Sequence, residues 1–193
     1  MKRRGFAIDM NAPVILWLTI IALGVLLVEL LTPVNTTMLL GARRTSLVDP
    51  LQYTRLFTHI TAHAGINHYV GNFMMILAIG PMVEEKYGSN RLVLITVITA
   101  LVTGLINVIF FPNIVVVGAS GIVFMLILMA SFTNIRQGRL PVTVLLVAVL
   151  YIGNEIMLGL FMEDNISRIS HIIGGLCGAV FGVVVHAKKL KGT

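Results

Sequence analysis

The fold is decided by the segment Val117-Gly118-Ala119-Ser120-Gly121-Ile122-Val123-Phe124, which puts a serine between small residues at the head of a short, very apolar stretch. Pro112 and Asn113 precede it and break any helix that arrives from the apolar residues before them. A helix over 118–132 would be about 22 Å long, whereas the hydrocarbon core of a bilayer is about 30 Å thick. We therefore expect this helix to start below the membrane surface, where non-helical backbone must be buried by protein or reached by water.

Composition identifies a membrane protein. Of the 193 residues, 57% are hydrophobic and 11% are charged, and a soluble domain carries about twice that charge. The net charge of +6 does not indicate nucleic-acid binding, because the basic residues stand at the ends of apolar segments and form no single patch. Cys177 is the only cysteine, which excludes an intramolecular disulfide, and we interpret it as a packing residue.

Apolar runs predict six membrane spans. The run that starts at Pro13 is too long for a signal peptide and is interpreted as a retained first span. We expect a cytoplasmic segment over 1–12, a six-helix membrane domain over 13–186 and a basic cytoplasmic tail over 187–193. Within the domain, the predicted spans are 13–31, 66–83, 92–111, 118–132, 141–160 and 169–186.

The distribution of basic residues predicts the orientation of these spans. Ten of the fourteen Lys and Arg residues fall in the connections and tails on one side. The positive-inside rule then places both termini in the cytoplasm. The long first outer connection alternates apolar and polar residues and is expected to form short helices lying in the interface; its apolar members are Leu39, Leu40, Leu51, Tyr53, Leu56 and Phe57.

Four polar residues at a similar depth have the chemistry of acyl transfer. His68 and Asn72 are four residues apart in the second span and share one helix face, while Ser120 opens the fourth span and His171 lies early in the sixth. A serine nucleophile needs an adjacent base, a role that neutral imidazole fills near pH 7. The Ser120 backbone N–H at a helix N-terminus, together with His68 and Asn72, supplies candidate donors for the oxyanion.

A stripe of small residues predicts how the fourth and sixth spans pack. The sixth span contains Gly174-x3-Gly178-x3-Gly182, a pattern that lets two helix backbones approach closely. His171 is three residues before Gly174 and therefore lies on the same face. If the fourth span packs on this stripe, Ser120 comes within hydrogen-bond reach of His171.

These motifs resemble those of the rhomboid family of intramembrane serine proteases, over most of the chain from about Arg55 to Gly182. Gly118-Ala119-Ser120-Gly121 looks like the family's G-x-S-G. His63, His68 and Asn72 match its second-span pattern, and His171 with Gly174 and Gly178 looks like its last-span H-x2-G-x3-G. Each motif alone is nonspecific, but the three in this order on these spans are specific.

The resemblance implies an all-α polytopic membrane protein, a six-transmembrane-helix bundle with an interfacial first loop. It implies a serine endopeptidase with a Ser120–His171 dyad, no acidic third member, and an oxyanion site made by the Ser120 N–H, His68 and Asn72. It further implies transmembrane protein substrates cut within the lipid bilayer, no metal and no cofactor. The expected location is the cell membrane, with the active site opening toward the outer face and the fifth span as a candidate substrate gate.

Two residues depart from the family pattern. Many bacterial members have a tyrosine four residues after the serine, stacked on the catalytic histidine, where this chain has Phe124. We expect the stacking on the histidine to survive, while the hydroxyl is lost. The first loop often carries Trp-Arg, where this chain has Thr54-Arg55, which weakens the expectation that this pair anchors the loop.

Several residues have structural alternatives. A serine beside glycine in a membrane helix is commonly a packing contact, and His63 has either a loop-bonding or a water-holding role. His59 and His63 are four residues apart, but no carboxylate or cysteine with ligand spacing accompanies them, so metal binding is not expected. Glu29 and Glu155 lie toward the outer ends of apolar spans and are interpreted as structural, satisfied by snorkelling or by a partner in the first loop. For Glu155, a role in the gate is the alternative.

Two other functions fit parts of the pattern. An inactive rhomboid-like protein would bind membrane proteins without cutting them, and the presence of both Ser120 and His171 argues against it. A small transporter or channel would use the polar cluster for permeation. That function favours inverted repeats, and the sequence shows no such repeat.

Overall fold

The computed structural model describes residues 10–132 and 165–191 and the isolated positions 142, 146, 149 and 150, with the side chains of the last helix over 169–185. The predicted fifth span, with the gate and Glu155, falls outside these residues apart from the four isolated positions. The described residues include seven α-helices: α1 Pro13–Leu31, α2 Thr36–Leu40, α3 Pro50–Thr58, α4 Ile66–Tyr87, α5 Ser89–Phe110, α6 Ser120–Phe132 and α7 Asn165–Lys191.

Three of these helices are long and apolar enough to cross a membrane, namely α1, α4 and α5. Their 19 to 22 residues correspond to about 29–33 Å at 1.5 Å per residue, which matches a bilayer core of about 30 Å. With 13 residues, α6 is shorter, about 20 Å. The described part of the chain is therefore an all-helical membrane protein, without a β-strand longer than an isolated bridge.

Several helix ends differ from the sequence prediction. Helix α5 runs Ser89–Phe110 where 92–111 was predicted, and α7 ends at Lys191 where 186 was predicted. Helix α4 continues to Tyr87 and stops before Gly88, whose φ of 85° is not helical. Helix α6 begins at Ser120 and not at Gly118, because Gly118 has a φ of 113° that a right-handed helix cannot contain. Helix α7 begins at Asn165, four residues before the apolar run, since apolar periodicity does not mark polar helical turns.

Glu84 fastens the start of α1 to the end of α4. The N-cap residue of α1 is Ala12, which has no side-chain acceptor for the first N–H groups. The Glu84 carboxylate accepts from the backbone N–H of Val14 at 3.0 Å and of Ile15 at 3.1 Å, and from the Ser89 hydroxyl at 2.7 Å. A negative charge at a helix N-terminus also interacts favourably with the helix dipole. Both oxygens of the buried Glu84 carboxylate thus accept hydrogen bonds at this end of the bundle.

The first loop contains the short helices α2 and α3, as the alternating pattern predicts. Asn35 caps α2 by accepting from the Met38 N–H at 2.8 Å, and Asp49 caps α3 by accepting from the Leu51 N–H at 3.0 Å. Leu56 is buried, whereas an apolar set remains exposed on the loop: Leu39, Leu47, Val48, Leu51, Tyr53 and Phe57. Helices of this kind, with one exposed apolar side, are suited to the membrane interface.

Charged side chains fix this loop to the helices. Arg55 is only 4% exposed; its Nε donates to the Leu39 carbonyl at 3.0 Å and its Nη1 pairs with Asp49 at 3.2 Å. Arg55 therefore ties α3 to α2 without the tryptophan that often precedes it in the family. The Glu29 carboxylate accepts hydrogen bonds from Thr36 and Thr37 at the start of α2. Of the two alternatives considered for this residue, snorkelling or a first-loop partner, the structure shows the partner.

The glycine stripe of α7 packs directly on the backbone of α6, which confirms the predicted partner. A Cβ atom added to Gly174 would lie 2.7 Å from the carbonyl carbon of Gly121, and one added to Gly178 would lie 2.9 Å from that of Met125. At Gly182 the neighbour is the Phe132 ring, at 3.0 Å. Only glycine permits such close approach of two helices.

Candidate active site

The turn before α6 presents Ser120 at the first position of that helix. The Gly118 N–H donates to the His59 carbonyl at 3.0 Å, and the Ala119 N–H donates to His63 Nε2 at 3.4 Å. The Ala119 carbonyl accepts from Ile122 and Val123, which starts the helix. The Ser120 N–H belongs to the first turn, whose N–H groups have no intrahelical acceptor. The serine thus stands at a positive helix end with its backbone donor available.

His68 and Asn72 on α4 lie over this turn. A Cβ atom on Gly118 would be 2.6 Å from both Cε1 and Nε2 of His68 and 3.5 Å from Nδ2 of Asn72. Gly118 therefore lacks a side chain for two reasons, its positive φ and the two polar side chains that occupy the adjacent space. Asn72 is 7% exposed, and its Nδ2 has no hydrogen-bond partner among the described residues. A buried donor of this kind can bind an oxygen that arrives with a substrate.

His171 on α7 contacts the face of α6 that begins with Ser120. Its ring centroid is 4.5 Å from that of Phe124, with the ring planes tilted by 41°. Phe124 is four residues after Ser120 and so shares its helix face. The sequence predicted that Phe124 stacks on His171; the two rings are in contact, but they are tilted and not stacked.

His63 joins the first loop to the serine turn. Its side chain is buried, and this burial, assisted by the nearby His68, lowers the pKa of the ring to about 4, so that it is neutral at pH 7. Nδ1 lies 3.2 Å from the Thr61 carbonyl and Nε2 accepts from the Ala119 N–H. Both contacts select the tautomer with the proton on Nδ1. Of the two roles considered from the sequence, His63 bonds the loop.

His59 helps to hold the serine turn, a role that the sequence motifs did not identify. It is 2% exposed, and burial lowers the pKa of its ring to about 4. Nδ1 lies 3.2 Å from the Arg55 carbonyl and Nε2 lies 3.2 Å from the Thr103 hydroxyl. Its backbone carbonyl holds the Gly118 N–H. Both ring nitrogens are therefore occupied by the loop and α5.

The structure brings the sequence-predicted residues together at one end of the bundle. His63, His68 and Asn72 surround the turn at Gly118, Ser120 follows it, and Gly121 is the residue on which Gly174 packs. A Cβ atom on Gly121 would lie 3.4 Å from the Ser170 carbonyl, one residue before His171. Gly178 packs one turn further along α6, so it supports the helix pair at a distance from the polar cluster.

Comparison with known proteins identifies the family of this chain. Residues 50–188 match the family model for the Rhomboid domain. The chain is 31% identical over 155 residues to rhomboid protease GluP of Bacillus subtilis, covering 78% of this chain and 29% of that protein. It is 31% identical over 136 residues to the putative rhomboid protease YdcA of the same species, covering 66% and 64%. It is 31% identical over 144 residues to rhomboid-related protein 2 of Mus musculus, covering 68% and 47%.

The helices and the polar cluster define a multi-pass, all-helical membrane protein. The match over residues 50–188 includes the serine turn, α6 and all but the last three residues of α7. The chain belongs to the rhomboid family. It spans less than two thirds of the length of each of these three curated relatives.

Proposed function

We propose that this protein is an intramembrane serine endopeptidase that cleaves transmembrane segments of other membrane proteins through a Ser120–His171 dyad. The observation that carries the proposal is the crossing of α6 and α7. Their backbones meet at Gly121 and Gly174, with Ser120 beside one glycine and His171 one turn from the other. This crossing supports a dyad in which a hydroxyl at a helix N-terminus is adjacent to an imidazole.

In the proposed reaction, Ser120 Oγ attacks the scissile carbonyl while His171 takes the hydroxyl proton. A tetrahedral intermediate forms and collapses, and His171 gives the proton to the leaving amine. Water then attacks the acyl-enzyme by the same route in reverse, with His171 again as the base. The Phe124 ring against His171 restricts the imidazole, which reduces the number of orientations that must be lost on the way to the transition state.

The oxyanion of the intermediate needs preorganised donors. The Ser120 N–H lacks an intrahelical acceptor, Asn72 Nδ2 is buried without a partner among the described residues, and the His68 ring is adjacent. In the proposed site these three donors bind the oxyanion together; the His68 and Asn72 side chains beside Gly118 support this. Such donors act strongly where water is excluded, and no step of this chemistry calls on a metal or a cofactor.

The remaining parts of the proposal concern location. The excess of basic residues on one side of the spans supports cytoplasmic termini in a cell membrane. The polar cluster and the first loop then belong to the outer half of the bilayer. The partners are transmembrane protein substrates and the lipid bilayer itself.

Substitution of Asn72 with alanine is expected to lower kcat by about 10²- to 10³-fold, the usual effect of losing one oxyanion donor. KM is expected to change little, because the amide acts on charge that develops in the transition state. Steady-state cleavage of a model transmembrane substrate in liposomes measures both constants. Met74→Ala, an exposed position on the same helix, is the control; an equal change in kcat and KM for Asn72→Ala would contradict the role.

The proposal is tested by labelling the purified chain in detergent with a fluorophosphonate probe. We expect the wild type to be labelled, the probe to map by mass spectrometry to Ser120, and labelling to be lost in Ser120→Ala. Circular dichroism establishes that both proteins are folded. Labelling that persists in Ser120→Ala would show that another residue is the nucleophile.

A folded wild type that neither labels nor cleaves a model substrate would favour the alternative, a catalytically inactive rhomboid-like protein that binds membrane proteins. Capture of a transmembrane peptide without cleavage would then distinguish binding from catalysis.

A further inference from the structure

Asn107 of α5 holds two chain segments that meet beside the serine turn. The side chain is 2% exposed and lies one turn before the end of the helix. Its Nδ2 donates to the Ala42 carbonyl at 2.8 Å and to the Ile114 carbonyl at 3.1 Å. One amide group thus connects the first loop to the stretch that leads into Ser120.

The same two segments are joined by a short antiparallel bridge. The Ala42 N–H donates to the Val116 carbonyl at 2.9 Å, and the Val116 N–H donates to the Ala42 carbonyl at 3.0 Å. The next hydrogen bonds in this stretch are those of Gly118 and Ala119 to His59 and His63. The chain from 114 to 119 is therefore held at successive points, and Asn107 holds the first of them.

We propose that Asn107 is a positioning residue for Ser120, acting through the backbone of residues 114–119. This inference rests on the proposed function, because positioning matters only if Ser120 reacts. Asn107 reaches the serine turn only through the carbonyls it binds, so its effect falls on the geometry of the nucleophile.

The chemistry of the amide suits this role. An Nδ2 group has two N–H donors fixed in one plane, and here each is used by a different segment. The Asn107 Oδ1 atom has no partner among the described residues, so the hydrogen bonds of the side chain come from its donors. A hydroxyl would supply one donor and an ionised carboxylate none.

The helix behind Asn107 is a firm support. At Gly104, one turn earlier, α5 meets α3 so closely that an added Cβ atom would lie 2.9 Å from the Leu56 carbonyl oxygen. The first loop is thus packed on the same helix that supplies the amide. Because α5 is one continuous helix of 22 residues, the first loop and the segment before Ser120 are both positioned by the same helix.

The expected consequence is a loss of rate with little loss of substrate affinity. A displacement of about 1 Å at a reacting group can cost about 10²-fold in rate. For Asn107→Ala and for the nearly isosteric Asn107→Asp, we expect kcat to fall by about 10- to 100-fold while KM stays within about twofold. Asn107→Ser, which keeps one donor, should fall between them and the wild type, and it decides the case if Asn107→Ala does not fold.

The matched control is Val108→Ala in the same helix, since Val108 is also buried and is apolar. It lowers stability through lost packing without removing a hydrogen bond to either segment. We expect its kcat to stay within about twofold of the wild type even where its Tm falls as far as that of Asn107→Ala. If kcat fell in proportion to Tm in the same way for Val108→Ala and the three Asn107 variants, lost stability would explain the kinetics and the proposal would be overturned.

The decisive experiment adds hydrogen–deuterium exchange of the full chain in detergent to these kinetics. We expect faster exchange in the peptide covering 112–119 in the Asn107 variants and unchanged exchange there in Val108→Ala. Unchanged exchange in Asn107→Asp and Asn107→Ala, or wild-type kcat in both, overturns the inference. A wild type without cleavage or labelling overturns the proposed function instead. In that case, faster exchange of the 112–119 peptide in the Asn107 variants would still show that Asn107 stabilises this segment. Unchanged exchange would show that it does not.

Discussion

Replacement of His171 by alanine is expected to lower kcat for cleavage of a transmembrane substrate by about 10⁴- to 10⁶-fold, while the protein stays folded. Without the imidazole, the hydroxyl of Ser120 has no base at its side. The remaining activity would come from oxyanion stabilisation and substrate binding, which the substitution leaves in place.

The structure explains why the fold should survive this change. His171 is half-buried, and the α6–α7 contact depends on the glycine backbone contacts that begin at Gly174. The imidazole packs on Phe124, and a ring contact of this kind contributes about 0.5–1.5 kcal/mol. The activity loss therefore exceeds what destabilisation alone would produce.

Cleavage in liposomes and the rate of fluorophosphonate labelling are the two measurements, because the first reports the whole reaction and the second reports activation of Ser120. Cys177→Ala, on the same helix and partly buried, is the control and should retain kcat within about twofold. If His171→Ala kept more than a hundredth of the wild-type rate, the base would be another group. The neighbouring His68 would then be the first residue to test.

The sequence was sufficient to predict where α6 and α7 meet. A small-xxx-small stripe can be recognised from the sequence of a single helix. Because its glycines have no side chains, a partner backbone can approach closely. The same reasoning placed His171 on the contacting face, since three-residue spacing fixes the face of a helix. These inferences depend only on local spacing, which a sequence states directly.

Long-range contacts of single polar residues could not be predicted in the same way. Asn107 and His59 act on backbone groups of Ala42 and Gly118, 65 and 59 positions away along the chain. The type of a buried polar residue indicates that it needs hydrogen-bond partners, but it does not identify them. An asparagine within an apolar span was the available signal for Asn107, the same signal that drew attention to Asn72.

Substitution patterns in a motif were also an incomplete guide. Thr54 in place of tryptophan suggested a weaker loop anchor, yet Arg55 is buried and bonds both Leu39 and Asp49. A guanidinium has several donors in a fixed plane, so it can tie two short helices without an aromatic neighbour. The start of α6 was misplaced because Gly118 has a φ of 113° and its N–H is bound by the distant His59 carbonyl, features that local sequence does not reveal.

Replacement of Gly174 by alanine is expected to remove most of the activity through the α6–α7 crossing. The new Cβ atom would lie 2.7 Å from the carbonyl carbon of Gly121 and 2.8 Å from its Cα, and backbone cannot move aside as a flexible side chain can. The helices must therefore separate at the level of Ser120 and His171. We expect a loss of about 1–3 kcal/mol in stability from overpacking, and a fall in kcat of about 10²-fold from the displaced dyad.

Two further glycine variants separate stability from geometry. Gly178→Ala meets the Met125 backbone one turn further from the polar cluster, so it should lose comparable stability but less kcat. At Gly24 in α1 an added Cβ atom has nothing within 4 Å. Gly24→Ala should therefore leave kcat unchanged and raise Tm slightly, as alanine usually does in a helix. Thermal unfolding by circular dichroism and cleavage in liposomes measure both quantities, and equal kcat losses for Gly174→Ala and Gly178→Ala would contradict the dependence on distance from the dyad.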